Sequence, residues 1–205
     1  MTRQLVIPAG REAIKPLEYY GREDIISVAF PNTLKEIGSG AFADCTNLKD
    51  VFFNEEIQTI GDHAFQYCSG IEKLILPANL KQIGNSAFSG LTDVKQIVFP
   101  EGLKEIGSLA FSYLDSIEEI VIPSTVTEIG EGGFQYLMSL KKLTVKGGIL
   151  GEFAFNRCAN LREVILYPEV KELKDFALAN CPNIEKITIP DHTIVSELAF
   201  FKDIR

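Results

Sequence analysis

The chain has 205 residues, of which 46% are apolar and 23% charged, and its formal net charge is −8. This composition predicts a folded chain with a sizeable core and excludes a disordered or collagen-like one. The negative charge argues against a nucleic-acid partner, which would require clustered lysine and arginine. No apolar run approaches the roughly 20 residues that a membrane-spanning helix needs, so membrane insertion is not expected.

The first ten residues, MTRQLVIPAG, contain too few apolar residues for a secretory signal. Two interpretations of this start remain open. Either the protein stays inside the cell, or the sequence begins after a leader that has been removed.

The sequence repeats itself about every 23 residues. The segment IGSGAF at 37–42 returns as IGDHAF at 60–65 and as IGNSAF at 83–88. The last residue of each copy, which we call the anchor, recurs at Tyr19, Phe42, Phe65, Phe88, Phe111, Phe134, Phe155, Leu178 and Phe200. This periodicity leaves no room for a second domain. We expect a single domain over 1–205, made of an N-terminal capping repeat (1–30), central repeats (31–190) and a C-terminal partial repeat (191–205).

Each repeat also contains a short strand pattern. Apolar residues stand nine and eleven positions after the anchor, as Leu74 and Leu76 do after Phe65. This alternation places both side chains on one face of a strand, and a proline often follows it, as Pro77 does here. One repeat cannot bury such a face alone, whereas stacked repeats can.

The repeat resembles a known family. In residues 60–77 the matching positions are Ile60, Gly61, Ala64, Phe65, Cys68, Ile71, Leu74, Leu76 and Pro77. They resemble the BspA-type (Treponema-type) leucine-rich repeat of bacterial and some protist surface proteins. Together with the periodicity, the resemblance implies an α/β solenoid, a right-handed leucine-rich-repeat superhelix of about nine 21–23-residue units with a parallel sheet on one face. Members often bind host matrix proteins or other cells, and they share no catalytic residues.

The four cysteines all stand three positions after an anchor: Cys45, Cys68, Cys158 and Cys181. Other repeats place leucine there, so we interpret the cysteines as buried, reduced core residues. Disulfides within the pairs Cys45–Cys68 and Cys158–Cys181 are a less favoured alternative, because stacked parallel side chains seldom point at each other. Zinc is less favoured still, since His63 and His192 lie outside this row. We expect no cofactor.

Charged residues follow at positions seven and eight after the anchor. At position seven the sign alternates over five repeats, as in Glu72, Lys95 and Glu118, and at position eight it is mostly mixed. This pattern predicts ion pairs between neighbouring repeats, and recognition of a ligand by the same charges is the alternative.

The tenth position after the anchor should face outward on the sheet. It carries the apolar residues Phe52, Ile75, Val98, Val121 and Ile165. An exposed apolar stripe on a solenoid is a candidate binding surface, although strand propensity alone also favours β-branched residues there. Phe52 favours binding, because propensity seldom places a large aromatic ring in water.

A second candidate surface lies two positions after the anchor, at Tyr67, Tyr113 and Tyr136. Tyrosine is favoured at protein interfaces. The alternative is that these rings pack over the neighbouring turns as covers.

No pattern indicates catalysis. His63 and His192 occupy different positions of the repeat, and the acidic residues do not form a calcium loop. The sequence therefore predicts a non-enzymatic protein–protein interaction module, at the bacterial cell surface or secreted, that binds a host or microbial protein. The alternatives are an intracellular scaffold or inhibitor, and a structural spacer. The end coils could also pair end to end.

Overall fold

The computed structural model describes residues 3–202 and contains eighteen short β-strands. In chain order they are β1 Arg3–Val6, β2 Ala13–Ile14, β3 Ile25–Ala29, β4 Glu36–Ile37, β5 Asp50–Phe52, β6 Thr59–Ile60, β7 Lys73–Ile75, β8 Gln82–Ile83, β9 Gln96–Val98, β10 Glu105–Ile106, β11 Glu119–Ile122, β12 Glu128–Ile129, β13 Lys142–Val145, β14 Gly148–Leu150, β15 Glu163–Leu166, β16 Val170–Leu173, β17 Lys186–Thr188 and β18 Ile194–Val195.

The strands pair in parallel with the equivalent strand of the next repeat. The even-numbered strands form one nine-stranded sheet from β2 to β18. Within it Ile37 aligns with Ile60, and Ile60 with Ile83. The odd-numbered strands form a second series, divided into sheets β1-β3-β5, β7-β9 and β11-β13-β15-β17. The chain is therefore a parallel-strand solenoid, in which each coil contributes one strand to each series.

The helical part of the α/β prediction is wrong, because no helix occurs in residues 3–202. The turn around each anchor takes a different backbone path. His63 and Tyr67 have positive φ angles of 57° and 59°. The Phe65 N–H donates to Ala87 of the next coil at 2.8 Å, and the Cys68 N–H donates back to Phe65 at 3.2 Å. In an α-helix each backbone N–H donates to the carbonyl four residues earlier. In this turn the Phe65 N–H donates to the next coil and the Cys68 N–H donates to the carbonyl three residues earlier.

The coil count and the sheet arrangement also differ from the expectation. About eight coils are present, with eight complete coils between β2 and β18, so the count of nine units is not confirmed. Nine anchors enclose only eight full intervals. Parallel strands occur in two series rather than on one face. The division at residues 30 and 190 stays a prediction, and its outermost residues, 1–2 and 203–205, lie outside the described chain.

The core is a column of phenylalanine rings. The six fully buried anchors are Phe42, Phe65, Phe88, Phe111, Phe134 and Phe155. Consecutive rings stack with centroids 5.0 to 5.4 Å apart and planes within 13° of parallel. Residues one repeat apart in sequence are therefore neighbours in space, as the periodicity predicts.

Candidate functional site

The odd-numbered strands carry a row of outward positions, which we call the outer row: Phe52, Ile75, Val98, Val121, Thr144 and Ile165. Its first four members are 56%, 54%, 43% and 40% exposed. Strand alternation turns the residues on either side of each member, such as Leu74 and Leu76, into the core. Thr144 is buried and Ile165 half-buried. The continuous exposed part of the row is thus Phe52 to Val121.

Two interruptions in the hydrogen-bonded series lie within this part of the row. Among residues 3–202, β5 is not paired with β7, and β9 is not paired with β11. Phe52 and Ile75 flank the first interruption, and Val98 and Val121 flank the second. The strand before each interruption is also less covered on its inner side, where Phe53 and Phe99 are only partly buried.

The second interruption opens into a half-open surface cleft of about 150 Å³. Its lining includes the apolar residues Ile97, Val98, Phe99, Val121 and Pro123. Glu101 and Lys146 complete the lining and form an ion pair at 3.8 Å. A cavity of 270 Å³ accompanies the first interruption, and charged residues such as Lys49, Asp50 and Glu72 line it. The two clefts thus differ in that most residues lining the second are apolar.

Each interruption follows an inward phenylalanine whose equivalent in the next coil is a smaller residue. Phe99 precedes the second one, whereas the equivalent residue of the next coil is the smaller Ile122. The Phe99 ring lies edge-on to Phe111 at 5.3 Å and also reaches Phe134, at 6.1 Å between centroids. We interpret this reach across two coils as the reason that β9 and β11 stay apart.

Charged residues beside the outer row pair between coils, as the alternating signs predict. In one row Lys95 pairs with Glu72 at 3.0 Å, and Lys141 with Glu118 at 2.7 Å. In the next row Glu163 lies between Lys186, at 3.0 Å, and Lys142, at 3.6 Å. The hydrogen bond from Lys186 is the main reason that the pKa of Glu163 is lowered. These pairs are exposed and add little stability, so their main effect is to fix the alignment of coils.

The three candidate tyrosines lie on the turns around the anchors and contact neighbouring coils. Tyr113 and Tyr136 stack with centroids 4.8 Å apart, and the Arg157 guanidinium lies 5.5 Å from the Tyr136 centroid. The Tyr67 ring lies against the backbone of Gly90. Tyr67 and Tyr113 are nevertheless 51% and 46% exposed. Their role in binding stays a prediction.

The four cysteines are buried free thiols. Each thiol donates to the carbonyl of the anchor one coil earlier: Cys45 to Tyr19, Cys68 to Phe42, Cys158 to Phe134, and Cys181 to Phe155, at 3.1 to 3.5 Å. Burial raises the pKa of Cys68 and of Cys158. The sequence suggested only a small apolar residue at this position. The thiol also satisfies a backbone carbonyl, which leucine cannot do.

Polar side chains within 3–202 also line a groove on the other strand series. A surface groove of about 360 Å³ follows the even-numbered strands, and its wall includes Asp62, Asn85 and Ser108. There Asp62 accepts from the Asn85 N–H at 2.7 Å, and Asn85 accepts from the Ser108 N–H at 2.8 Å. These side chains thus hold adjacent coils together. No group of three metal-ligating residues occurs within 3–202, nor does any helix there reach the length and apolarity that would cross a bilayer.

Stacked coils, parallel strands and a repeated apolar consensus define a leucine-rich-repeat solenoid. The family model described as the BspA-type leucine-rich repeat region matches this sequence in six copies, over residues 12–141 and 129–204. The chain therefore belongs to the BspA-type leucine-rich-repeat family. A search of curated proteins found no match.

Several solved structures share this fold. A leucine-rich repeat protein from Bacteroides ovatus has a TM-score of 0.77 and 23% identity over 94% of this chain and 56% of its own. The pneumococcal vaccine antigen PcpA has a TM-score of 0.64 and 22% identity over 94% of this chain and 62% of its own. The T. pallidum leucine-rich repeat protein has a TM-score of 0.54 and 22% identity over 95% of this chain and 73% of its own. The chain thus spans less than two thirds of the first two structures.

Sequence reasoning located the outer row but missed the two interruptions and the cleft. The available signal was the inward position eleven after the anchor, where phenylalanine is followed by a smaller residue at Phe53–Leu76 and at Phe99–Ile122.

Proposed function

We propose that this chain is a non-enzymatic protein-binding module that uses the outer row as its contact surface. The observation that carries the proposal is the continuous exposure of Phe52, Ile75, Val98 and Val121. Four large apolar side chains on adjacent coils form an apolar patch of the kind that marks interaction sites. Membership of a repeat family whose members are usually interaction modules supports the proposal. Ile165 extends the contact surface beyond the buried Thr144.

The test compares two triple variants of the folded protein. One changes Phe52, Ile75 and Val121 to serine, and the control changes the exposed Glu36, Gln82 and Glu105 of the even-numbered sheet to serine. Binders are selected against the unmodified protein from a displayed library of small protein domains. Most selected binders should lose affinity for the outer-row variant and retain it for the control. Binders indifferent to the outer-row variant would remove this face as the contact surface.

The tyrosine surface is tested in parallel. A variant with Tyr67, Tyr113 and Tyr136 changed to serine should keep the binders if these rings are only covers between coils. Loss of the binders from this variant, with a normal melting temperature, would assign the contact to the turns instead.

We place the protein at the surface of a bacterial cell or outside it, where its partner is a host or microbial protein. The likeness to a pneumococcal vaccine antigen supports this location. An intracellular scaffold or inhibitor is the alternative, and the four buried free thiols support it. Fractionation of the source cells with an antibody against residues 3–202 distinguishes the two locations.

End-to-end self-association is a separate expectation. The last coil exposes Ile187, Ile194 and Val195. Sedimentation over a wide concentration range tests it, and a monomer at every concentration would exclude this association.

A further inference from the structure

The two interruptions divide the odd-numbered side of the solenoid into three segments. Segment one contains β1, β3 and β5, segment two contains β7 and β9, and segment three contains β11, β13, β15 and β17. Most Cα–Cα distances from β5 to β7, and from β9 to β11, exceed 8 Å, whereas most of those from β7 to β9 lie within 8 Å. Paired parallel strands are about 4.8 Å apart. The strands at each interruption are therefore well separated, beyond the reach of backbone pairing.

The same coils stay closed on their other sides. On the even-numbered side β6 pairs with β8, which aligns Ile60 with Ile83, and β10 pairs with β12. The anchor turns are closed as well, since the rings of Phe42 and Phe65 stack 5.2 Å apart across the first interrupted pair of coils. The corresponding rings of the second pair are also 5.2 Å apart. Adjacent coils at each interruption are thus joined at the even-numbered strands and at the turn, and are open at the odd-numbered strands.

Ion pairs follow the same division into segments. Lys95 pairs with Glu72 inside segment two, and Lys141 pairs with Glu118 inside segment three. The alternating signs would equally allow Lys49 to pair with Glu72 across the first interruption, yet their charged groups do not approach within 4 Å. Lys95 and Glu118 likewise do not pair with each other across the second interruption. The segments are therefore held together internally by contacts that the interruptions lack.

The links that cross the interruptions near the outer row involve side chains. The Ala78 N–H donates to the Glu55 carboxylate at 2.7 Å across the first, and Lys146 pairs with Glu101 at 3.8 Å across the second. Within residues 3–202 no backbone hydrogen bond joins β5 to β7 or β9 to β11. Exposed side-chain links of this kind add little stability. The width of each gap is therefore only weakly fixed.

Both gaps lie inside the proposed contact surface. Phe52 belongs to segment one, Ile75 and Val98 belong to segment two, and Val121 belongs to segment three. A change in either gap changes the distance between neighbouring apolar side chains of the outer row. It also changes the curvature of the face that a partner would contact.

We infer that the outer row is hinged at both interruptions, so that the three segments move relative to one another about the closed even-numbered sheet and anchor turns until a partner fixes their separation. The inference rests on the proposed function and adds how the contact surface adapts to its partner. A ligand shifts a set of nearly equal conformations toward the one that it binds best. Hinges allow such a shift while the packed units on either side stay rigid.

Distances between pairs of nitroxide labels in the whole chain test the inference. One variant carries labels on cysteines at positions Lys49 and Glu118, which lie three coils apart and span both interruptions. The first control carries them at Glu118 and Glu185, three coils apart in the same row but inside segment three. The second control carries them at Gln58 and Thr127, three coils apart beside the even-numbered sheet. All five positions are exposed, so the labels disturb no core contact.

Pulsed EPR measures the distribution of distances for each pair. The distribution for Lys49 and Glu118 should be at least about twice as broad as those of both controls. A width no greater than that of Glu118 and Glu185 would overturn the inference, because the interruptions would then be as rigid as paired strands. Mass spectrometry verifies that each chain carries two labels, since the native thiols are buried.

A binder then separates this inference from the proposed function. The binder is one selected from the displayed library whose affinity depends on Phe52, Ile75 and Val121. It should narrow the distribution for Lys49 and Glu118 to the width of the controls, and an unchanged width would overturn the adaptation to a partner. Library binders that never depend on the outer row would instead overturn the proposed function. The hinges themselves would still stand or fall with the width measured in the free chain.

Discussion

Phe88 and Phe111 lie in adjacent coils with ring centroids 5.2 Å apart and planes inclined by only 13°. Both rings are fully buried, and Phe88 contacts Phe65 on its other side in the same manner. A single side chain therefore supports two neighbouring coils. In a solenoid, the stability is approximately a sum of such nearest-neighbour contacts.

Replacing Phe88 with alanine should lower the free energy of unfolding by about 3–5 kcal/mol, because burial is lost and a cavity remains between two rings. Urea denaturation measures the change. Hydrogen exchange should show faster exchange in the coils of Phe65 and Phe111 than in the coil of Phe155. Phe52→Ala is the control, since its ring is exposed and its loss should cost far less. An equal effect of the two substitutions would contradict the stacked column.

The periodicity predicts which residues share a row, because a constant repeat length brings equivalent positions together. It cannot predict the turn conformation. Leu17, His63, Ser86 and Leu109 adopt positive φ angles at one position of the turn, and only Gly40 and Gly132 in that row signal it. The interruptions were missed although phenylalanine precedes a smaller residue at Phe53–Leu76 and at Phe99–Ile122, because the effect of that change depends on how the rings pack between coils. The repeat length decides which residues share a row, whereas the turn conformations and the cleft depend on how the side chains pack.

Two glycines, each two positions after an anchor, allow the cost of backbone strain to be measured separately from the cost of steric crowding. Gly21 and Gly90 have φ angles of 66° and 77°. A Cβ at Gly21 meets no atom within 4 Å, whereas one at Gly90 lies 2.5 Å from the Tyr67 ring. Gly21→Ala should therefore cost only the left-handed backbone penalty, about 1–2 kcal/mol. Gly90→Ala should cost more, since it also displaces Tyr67.

Tyr67→Ala completes this comparison. In its background, Gly90→Ala should cost about the same as Gly21→Ala, because the ring no longer crowds the new methyl group. Thermal unfolding of the single and double variants measures the coupling. Strictly additive effects of Tyr67→Ala and Gly90→Ala would show that the ring does not cover Gly90 in solution.

The ionisation of Asp24 makes the stability of the first coil depend on pH. Arg22 donates to its carboxylate at 2.6 and 2.8 Å, with Arg3 at 3.2 Å, and these groups lower the pKa of Asp24 from 3.8 to about 2. A carboxyl whose pKa is lower in the folded state stabilises the fold above its unfolded pKa. That stability is lost as the pH falls from about 4 through about 2.

Asp24→Asn should remove this acid dependence. The difference in unfolding free energy between the unmodified chain and the variant should shrink as the pH is lowered through that window. An NMR titration of the Asp24 carboxyl carbon should give a midpoint well below 3.8. A midpoint at the ordinary value would mean that the arginine contacts do not persist in solution.

The thiols should be unreactive in the folded protein. All four are buried, so the reagent cannot reach them in the folded chain. Burial raises the pKa of Cys68 and Cys158, whereas the hydrogen bond with the paired thiol lowers the pKa of Cys45 and of Cys181, so burial rather than pKa protects these last two. Iodoacetamide should modify none of the four at pH 7.5 and all four in urea without reductant, as counted by mass spectrometry. Unmodified cysteines that react only after reduction would instead indicate the disulfide alternative.

Phe99→Leu tests why β9 and β11 separate. Phe99 contacts rings in both of the next two coils, and a leucine in its place is close in size to Ile122 of the following coil. We expect the strands to approach, so that amides of β11 exchange more slowly and the methyl signals of Val98 and Val121 shift. The cleft should close. Phe30→Leu is the matched control, because β3 is already paired with β5. It should leave the exchange of the β11 amides unchanged. Unaltered exchange in Phe99→Leu would show that the ring is not what holds these two strands apart.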